Sequence, residues 1–411
     1  MLGILIGTCP VCVAARSPAA GPAPVTAAQG EAFLVGYDQR PDVQAFIDSM
    51  VAQYGFVPEE LRAVFAHARY NETVAALMGP GPAARPVPWS EYRARFVEPA
   101  RIDAGVRFWQ THSEDLERAE RTYGVPAQII VAILDIETLF GRNTGNFRVL
   151  DALTTLAFDY PNKDRDRSPF FREQLEDFLV MARDDSVDVL ALRGSYAGAI
   201  GMPQFMPGSI RRFAVDFDGD GTIDLKNSAG DAIGSVANFL ASQGWRRGGA
   251  LVYPATLAAG GHDNSLLGAL QDAGSEPHLP PEELRAAGLV LPEGVPSGEP
   301  LSLVTLPDGD NPTIYLAGTQ NFYVITRYNR SFAYAMAVIE LGRAIRGRRE
   351  AVTSRVLPAT PDSAPAPPPA PAPLPQPEPV PAGEPSGPEG PAMQPTQTTR
   401  PASPGSAQAL P

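Results

Sequence analysis

Cysteine is nearly absent. The 411-residue chain has two, Cys9 and Cys12, both close to its first residue. A disulfide framework is therefore excluded for everything downstream. Cys9-Pro10-Val11-Cys12 fits the C-x-x-C redox pattern in spacing only, because no βαβ context surrounds it. Histidine is also sparse: His67, His112, His262 and His278 are scattered, and none has zinc-ligand spacing. No run reaches the roughly 18 consecutive apolar residues that a membrane span requires. There is no phosphate-cradling glycine loop and no nucleophile elbow, and the glycines between Gly194 and Gly201 read as sites of tight packing. Positive charge is in deficit, with a formal net charge of −13 and no basic stripe interleaved with aromatics, which argues against a nucleic-acid partner. An anionic polymer would have to be gripped by local contacts, not drawn in by the global field. No internal repeat is present.

What remains is a chain able to bury a core, with 44% hydrophobic and 19% charged residues and room for two or three domains. Met1 to Val13 are apolar and Ala14-Ala15-Arg16 follow, so residues 1–16 resemble the end of a secretory signal, short and without a basic start. Cleavage there would leave a mature protein without cysteine. Cys9 and Cys12 are also the candidate carriers of an acyl chain, but Thr8 and Val11 stand where small residues usually precede a lipidated cysteine, which leaves membrane anchoring open. Residues 17–30, rich in Pro, Ala and Gly, read as a linker.

Residues 31–123 read as helical. Val43, Phe46, Ile47 and Met50 share one helical face, Pro58–Tyr70 and Glu72–Met78 continue in that style, and Gly79–Pro88 is a proline-punctuated loop. Ala104–Tyr123 reads as one amphipathic helix carrying Phe108 and Trp109. Residues 124–250 form a central part, with further helices expected over Val149–Phe158 and Phe170–Ala182. Residues 251–347 read as a small β-containing part, with apolar runs Leu301–Leu306 and Thr313–Leu316, one more strand at Tyr323–Thr326, and a closing amphipathic helix over Ser331–Ile345. In residues 348–411, prolines among Ala, Ser and Gln cannot bury enough surface to offset their ordering, so a disordered spacer is expected. The fold class is mainly α, of α+β type.

The stretch Val125–Gly141 organises the chain. Pro126 suits the first turn of a helix and Gly141 a left-handed stop. Ile130, Ile133, Leu134 and Glu137 fall on one face, apolar but for the glutamate, while Asp135 points elsewhere. Burial and the negative end of the helix dipole would both raise the pKa of Glu137, as a general acid needs. A buried structural glutamate explains the same spacing. Ordinary glycosidases use two carboxylates, yet Ser195–Pro207 offers a hydroxyl and an amide but no acid. Either one carboxyl serves twice, or the residue is not catalytic.

Asp216-Phe217-Asp218-Gly219-Asp220-Gly221-Thr222 has the order of an EF-hand loop: Asp at positions 1, 3 and 5, Gly at 6, and a backbone carbonyl at 7. Position 12 is Asn227 in place of the bidentate Glu, and Asp231 is the candidate replacement. Such an oxygen set suits Ca2+ in a structural role; an acidic surface turn is the plainer reading.

Ile136-Glu137-Thr138, Gly194–Gly201, Gln204-Phe205-Met206-Pro207, the Asp216 loop, Asp231–Phe239 and Ile325–Ser331 follow one another in an order that resembles the lytic murein transglycosylases of the membrane-bound B type, over roughly residues 40–347. The resemblance implies a lysozyme-like catalytic core. It implies non-hydrolytic cleavage of the β-1,4 bond between N-acetylmuramic acid and N-acetylglucosamine, leaving a 1,6-anhydromuramoyl end. Carried over by position, Glu137 would be the catalytic acid and then base. Ser195 would bond the carboxyl or the N-acetyl group. Gln204 and Phe205 would line the sugar cleft, and Tyr92, Tyr328 and Tyr334 would close it. Asp216, Asp218, Asp220, the Thr222 carbonyl and Asp231 would hold calcium, with no organic cofactor. Peptidoglycan strands would be the substrate, cell-wall synthesis proteins further partners, and the periplasm, with or without the outer membrane, the location. Leu139 replaces a frequent basic residue, and the proline-rich tail has no family counterpart. Two other readings stay open. A lysozyme-type hydrolase would need a second carboxylate, with Asp151 and Asp159 the nearby candidates. A non-catalytic peptidoglycan-binding scaffold would use Glu137 structurally.

Overall fold

The structure, a computed structural model, describes residues 36–80, 86–258 and 264–356. The expected signal segment, the linker and the tail from residue 357 lie outside the described residues. In chain order the helices before the site are α1 (Pro41–Tyr54), α2 (Pro58–His67), α3 (Glu72–Met78), α4 (Trp89–Ala94), α5 (Pro99–Thr111) and α6 (Ser113–Tyr123). The central part holds α7 (Ala127–Thr138), β1 (Phe147–Arg148), α8 (Val149–Phe158), α9 (Ser168–Asp184), β2 (Arg193–Gly194), α10 (Pro207–Phe213) and α11 (Ala229–Ser242). Then come β3 (Val252–Leu257), α12 (Asn264–Asp272), α13 (Pro281–Ala286), β4 (Leu289–Val290), β5 (Ser302–Asp308), β6 (Asn311–Gly318), α14 (Gln320–Tyr328) and α15 (Phe332–Val356).

Helix α7 is the axis of the fold. Apart from Gln128, all its residues are buried, Asp135 among them. A helix apolar on every side must be wrapped by others, and α5, α6, α11 and α15 do so. The face expected on α1 is the buried one: Val43, Phe46, Ile47 and Met50. Phe46 meets Phe65 of α2 and Phe158 of α8 edge-on, at ring separations of 5.9 and 5.8 Å. This geometry suits aromatic quadrupoles. The segment before α1 is pinned to the end of α8. The Arg40 guanidinium grips Asp159 at 2.8 and 2.9 Å, and Tyr37 donates to the same carboxylate at 2.6 Å.

Three expectations are corrected. The helix drawn over Ala104–Tyr123 is two helices, broken at His112 (φ −114°, ψ 32°). Glu114 and Asp115 sit in the first turn after the break, where carboxylates favour a new helix start. Tyr323–Thr326 is not a strand but the heart of α14; Asn321, Phe322, Val324, Ile325 and Thr326 are buried, a helical spacing. The closing helix begins at Phe332 and runs on to Val356, into the stretch read as tail.

The β-containing part is a four-stranded antiparallel sheet in the order β4-β3-β6-β5, with Val252 and Ser302 both opposite Gly318. It has its own small apolar cluster, including Leu279, Leu284, Leu289, Leu301 and Leu303. Strand β5 touches α4 and α15, so the sheet is tied to the helices around the site. Among the described residues no helix is long and apolar enough to cross a membrane.

Candidate functional site

The site forms where α7 ends. Pro126 caps the helix and its last helical residue is Thr138; Leu139, Phe140 and Gly141 then follow in left-handed conformation, with φ of 51°, 59° and 83°. The stop expected at Gly141 therefore comes earlier and is borne by two residues with side chains. Their backbone is held from several directions. Leu139 N–H donates to Asp135 O at 2.8 Å, Phe140 N–H to Leu134 O at 3.1 Å, and Asn143 N–H to Thr138 O at 3.0 Å. The Thr138 hydroxyl donates to Met202 O at 2.8 Å and accepts from Gly141 N–H at 2.9 Å. The Phe140 ring stacks on Phe108 of α5 at 4.4 Å. Left-handed backbone costs about 1–2 kcal/mol per non-glycine residue and clusters at functional sites.

Glu137 sits two residues before Leu139, where this turn begins, and is 5% exposed. Its Oε1 accepts a hydrogen bond from the Tyr334 hydroxyl at 2.7 Å. Tyr334, on α15, stacks nearly parallel to Tyr328 of α14, with ring centroids 6.5 Å apart. The Tyr328 hydroxyl donates to Pro203 O at 2.5 Å, and its ring also meets Phe205 at 5.8 Å. Phe205 is only 3% exposed, lodged between Tyr328 and Phe239. Its backbone pairs with Ile200 in both directions, at 2.8 and 3.1 Å. That bridge closes a tight loop with Gln204 at φ 52°. The Gln204 side-chain nitrogen donates to Thr144 O and Gly201 O.

Ser195 follows β2 and is buried. Its hydroxyl oxygen accepts from Ala199 N–H at 3.0 Å and Ala197 N–H at 3.3 Å, which leaves its O–H proton to donate. Gly194 allows this loop to fold: a Cβ there would stand 2.2 Å from Ala199 O. Tyr92, on α4, is half-buried between Trp89 and Phe96, and α4 packs on α15, the helix that carries Tyr334. The two carboxylates considered as second catalytic groups are engaged elsewhere. Asp151 is held by Arg148 at 2.6 and 2.8 Å and by Arg69 N–H at 2.8 Å, and Asp159 by Arg40 and Tyr37.

Two groups escaped sequence reasoning. Asp135 is not a surface residue. Arg101 Nε donates to its Oδ1 at 2.6 Å and Arg101 Nη2 to its backbone carbonyl at 2.8 Å, while Oδ2 has no partner among the described residues. Burial pushes its pKa up to about 6 and the Arg101 charge pulls the other way. Asn329, beside Tyr328, is buried with Oδ1 unpartnered among the described residues. A buried acceptor left open asks for an explanation, and a ligand is one. The Tyr328-Asn329-Arg330 run held the signal, but a lone Asn has no spacing to betray it.

The acidic loop brings Asp216 and Asp218 together with Asp231, but not Asp220. Asp216 accepts from Gly219 and Gly221 N–H, at 2.7 and 2.9 Å. Asp231, in the first turn of α11, is buried, and its two oxygens accept from Phe217 and Asp224 N–H at 2.7 and 2.8 Å. Ligand atoms of Asp216, Asp218 and Asp231 lie within 4.8 Å of one another. Asp220 lies outside that cluster, with Oδ1 accepting from Thr222. Asn227 is tied to Asp224. Among the described residues no Lys or Arg forms a salt bridge with the three clustered acids, so a hard cation with oxygen ligands fits the charge they leave uncompensated.

Residues 38–343 match the family described as transglycosylase SLT domain. The chain is similar to membrane-bound lytic murein transglycosylase B of Escherichia coli K12, with 40% identity over 317 residues, 75% of this chain and 84% of that one. Among solved structures it is similar to the soluble lytic transglycosylase SltB1 of Pseudomonas aeruginosa, at 45% identity and a TM-score of 0.69, covering 75% of this chain and all (100%) of that one. It is also similar to the Escherichia coli lytic transglycosylase Slt35 in complex with calcium, at 42% identity and a TM-score of 0.65, covering 76% and 95% of the two chains.

Proposed function

The chain belongs to the transglycosylase SLT domain family and is a peptidoglycan lytic transglycosylase; from that premise we propose that Glu137 alone cuts the β-1,4 bond between N-acetylmuramic acid and N-acetylglucosamine and leaves a 1,6-anhydromuramoyl end. Glu137 gives its proton to the glycosidic oxygen, the bond from that oxygen to C1 of the muramoyl residue breaks, and the N-acetylglucosamine O4 leaves as a hydroxyl. The substrate's own N-acetyl group steadies the cationic C1. The muramoyl O6 then attacks C1 and its proton returns to the Glu137 carboxylate, so no water is consumed.

One observation carries this reading: a nearly water-free carboxyl with a tyrosine hydroxyl on it, while both nearby acids that could have made a pair are held in ion pairs. Burial keeps bulk water from the carboxyl, and the Tyr334 hydroxyl fixes its Oε1 for both proton transfers. The free O–H of Ser195 points the substrate's N-acetyl or the carboxyl into line, and the open acceptor of Asn329 takes an N–H of the substrate. Gln204, Phe205, Tyr328 and Tyr92 line the sugar track. Asp216, Asp218 and Asp231 would hold a calcium ion that ties the loop to the start of α11, whereas Asp220 and the Thr222 carbonyl, expected as ligands, would need to turn towards it. The setting is the periplasm.

The test is mass spectrometry of products from purified peptidoglycan. Anhydromuramoyl products that disappear in Glu137→Gln are the expected result. Reducing ends would overturn it in favour of hydrolysis, and no product from a folded enzyme that still binds the wall would favour a scaffold.

A further inference from the structure

Tyr328, whose ring stacks on Tyr334, also lines a pocket of about 140 Å³ together with Phe205 and Phe239. That volume is below the roughly 300–1,000 Å³ typical of sites for whole small molecules, so a short group fits and a disaccharide does not. Its polar lining is Gln174, Gln204, Ser209, Arg212 and Arg327, without a single carboxylate. A sugar presents hydroxyls that must both donate and accept, so a sugar site needs strong acceptors. This lining is dominated by donors.

The donors are open. Gln174 is 4% exposed, and its Oε1 accepts from Gly208 N–H at 3.0 Å, which leaves the amide N–H groups to the pocket. A Cβ on Gly208 would come within 3.2 Å of Gln174 Nε2 and 3.0 Å of Arg212 Nη2, so the glycine keeps these two donors side by side. The same point is 2.5 Å from Asp177 Oδ2, but that carboxylate is in a salt bridge with Arg211. Among the described residues Arg212 has no carboxylate partner, and Arg327 bonds a neutral one, Gln243 Oε1, at 3.2 Å. Gln204 uses its nitrogen on two backbone carbonyls, so its oxygen is the acceptor for an amide N–H.

In a molecule of net charge −13, two guanidinium groups without ion partners around a donor-rich recess mark a place for an anion. The strand bears short peptides on its muramoyl residues, and those peptides carry carboxylates. We propose that this pocket receives a carboxylate of the peptide stem, with Arg212 and Arg327 selecting peptide-bearing strands over bare glycan. The proposal rests on the peptidoglycan-cutting reading above and deepens it.

The test uses the full chain carrying Glu137→Gln, so that binding is read without cleavage. Calorimetry compares a disaccharide-tetrapeptide with the same disaccharide freed of its peptide, and with the free tetrapeptide. Both arginines are exposed, so Arg212→Gln and Arg327→Gln should fold, which melting checks. The expected result is tighter binding of the peptide-bearing ligand, weakened about tenfold by each substitution and by added salt, with affinity for the bare disaccharide altered less than twofold. Equal wild-type affinity for the two disaccharides overturns the proposal, as does an equal loss for both in the variants. If neither disaccharide binds, the cutting reading fails on its own, and the tetrapeptide decides: arginine-dependent binding upholds the pocket, and no binding overturns it.

Discussion

The Tyr334 hydroxyl donates to Glu137 Oε1 at 2.7 Å, joining residues 197 positions apart. Both partners are buried. Removing one member of a buried hydrogen bond leaves the other short by roughly 1–3 kcal/mol. Tyr334→Phe is therefore expected to lower kcat about 10- to 100-fold while KM moves much less and the melting temperature stays within a few degrees. Rates of soluble muropeptide release over a substrate series, with circular dichroism melts, check this. An unchanged kcat would remove Tyr334 from the chemistry.

The buried pair of Arg101 and Asp135 gives stability a pH dependence. Burial raises the Asp135 pKa from 3.8 to about 6, against the pull of Arg101. A raised carboxyl favours the protonated folded state, so its contribution is complete below about 3.8 and is lost as pH climbs through about 6. The whole step is on the order of 3 kcal/mol. Asp135→Asn deprives Arg101 of its partner and should melt lower at every pH. The gap between wild type and variant should narrow from pH 4 to pH 6.5 and then level off. A gap that widens over that range contradicts the assignment.

Calcium should act on stability before it acts on chemistry. A cation binding only the folded state at a hundred times its Kd adds about 2.7 kcal/mol. Melting with calcium chloride and then with EDTA should show a clear upward shift that Asp216→Ala abolishes. Asp231→Asn should lower the melting temperature even in EDTA, because the same oxygens accept backbone N–H groups from the loop.

Leu139 and Phe140 share a conformation but should answer substitution oppositely. Leu139→Gly relieves left-handed strain and is expected to stabilise by up to about 1 kcal/mol. Phe140→Gly relieves the same strain but deletes the ring stacked on Phe108, with a net loss of about 1–3 kcal/mol. Chemical denaturation of both variants compares them directly, and stabilisation by Phe140→Gly would deny the stack a role.

Much of the fold was readable from local patterns. The buried face of α1, the span of α8 and the acidic loop depend on residues a few positions apart, and periodicity reports such relations. The break at His112 and the helix over Gln320–Tyr328 were not readable, because a short apolar run fits either structure until its packing partners are known. Glu137 stood out as a lone acid on an apolar face. Family resemblance named Tyr334 only as a residue closing the cleft; its bond to Glu137 was not legible, since no spacing rule spans such a gap. Asp135 was read only as lying off the apolar face of α7, and that spacing says nothing of what covers it. In fact α5 covers it, and Arg101 supplies the ion partner that a buried acid needs.

Helix α15 packs on α4, α5 and α7 and brings Tyr334 to the acid, yet it is the last element of the described chain. An enzyme that severs the polymer holding a cell together is dangerous while half made. Here the Glu137 carboxyl and the Tyr334 hydroxyl meet only when the closing helix docks, so a nascent or C-terminally clipped chain holds the acid without the hydroxyl that grips it.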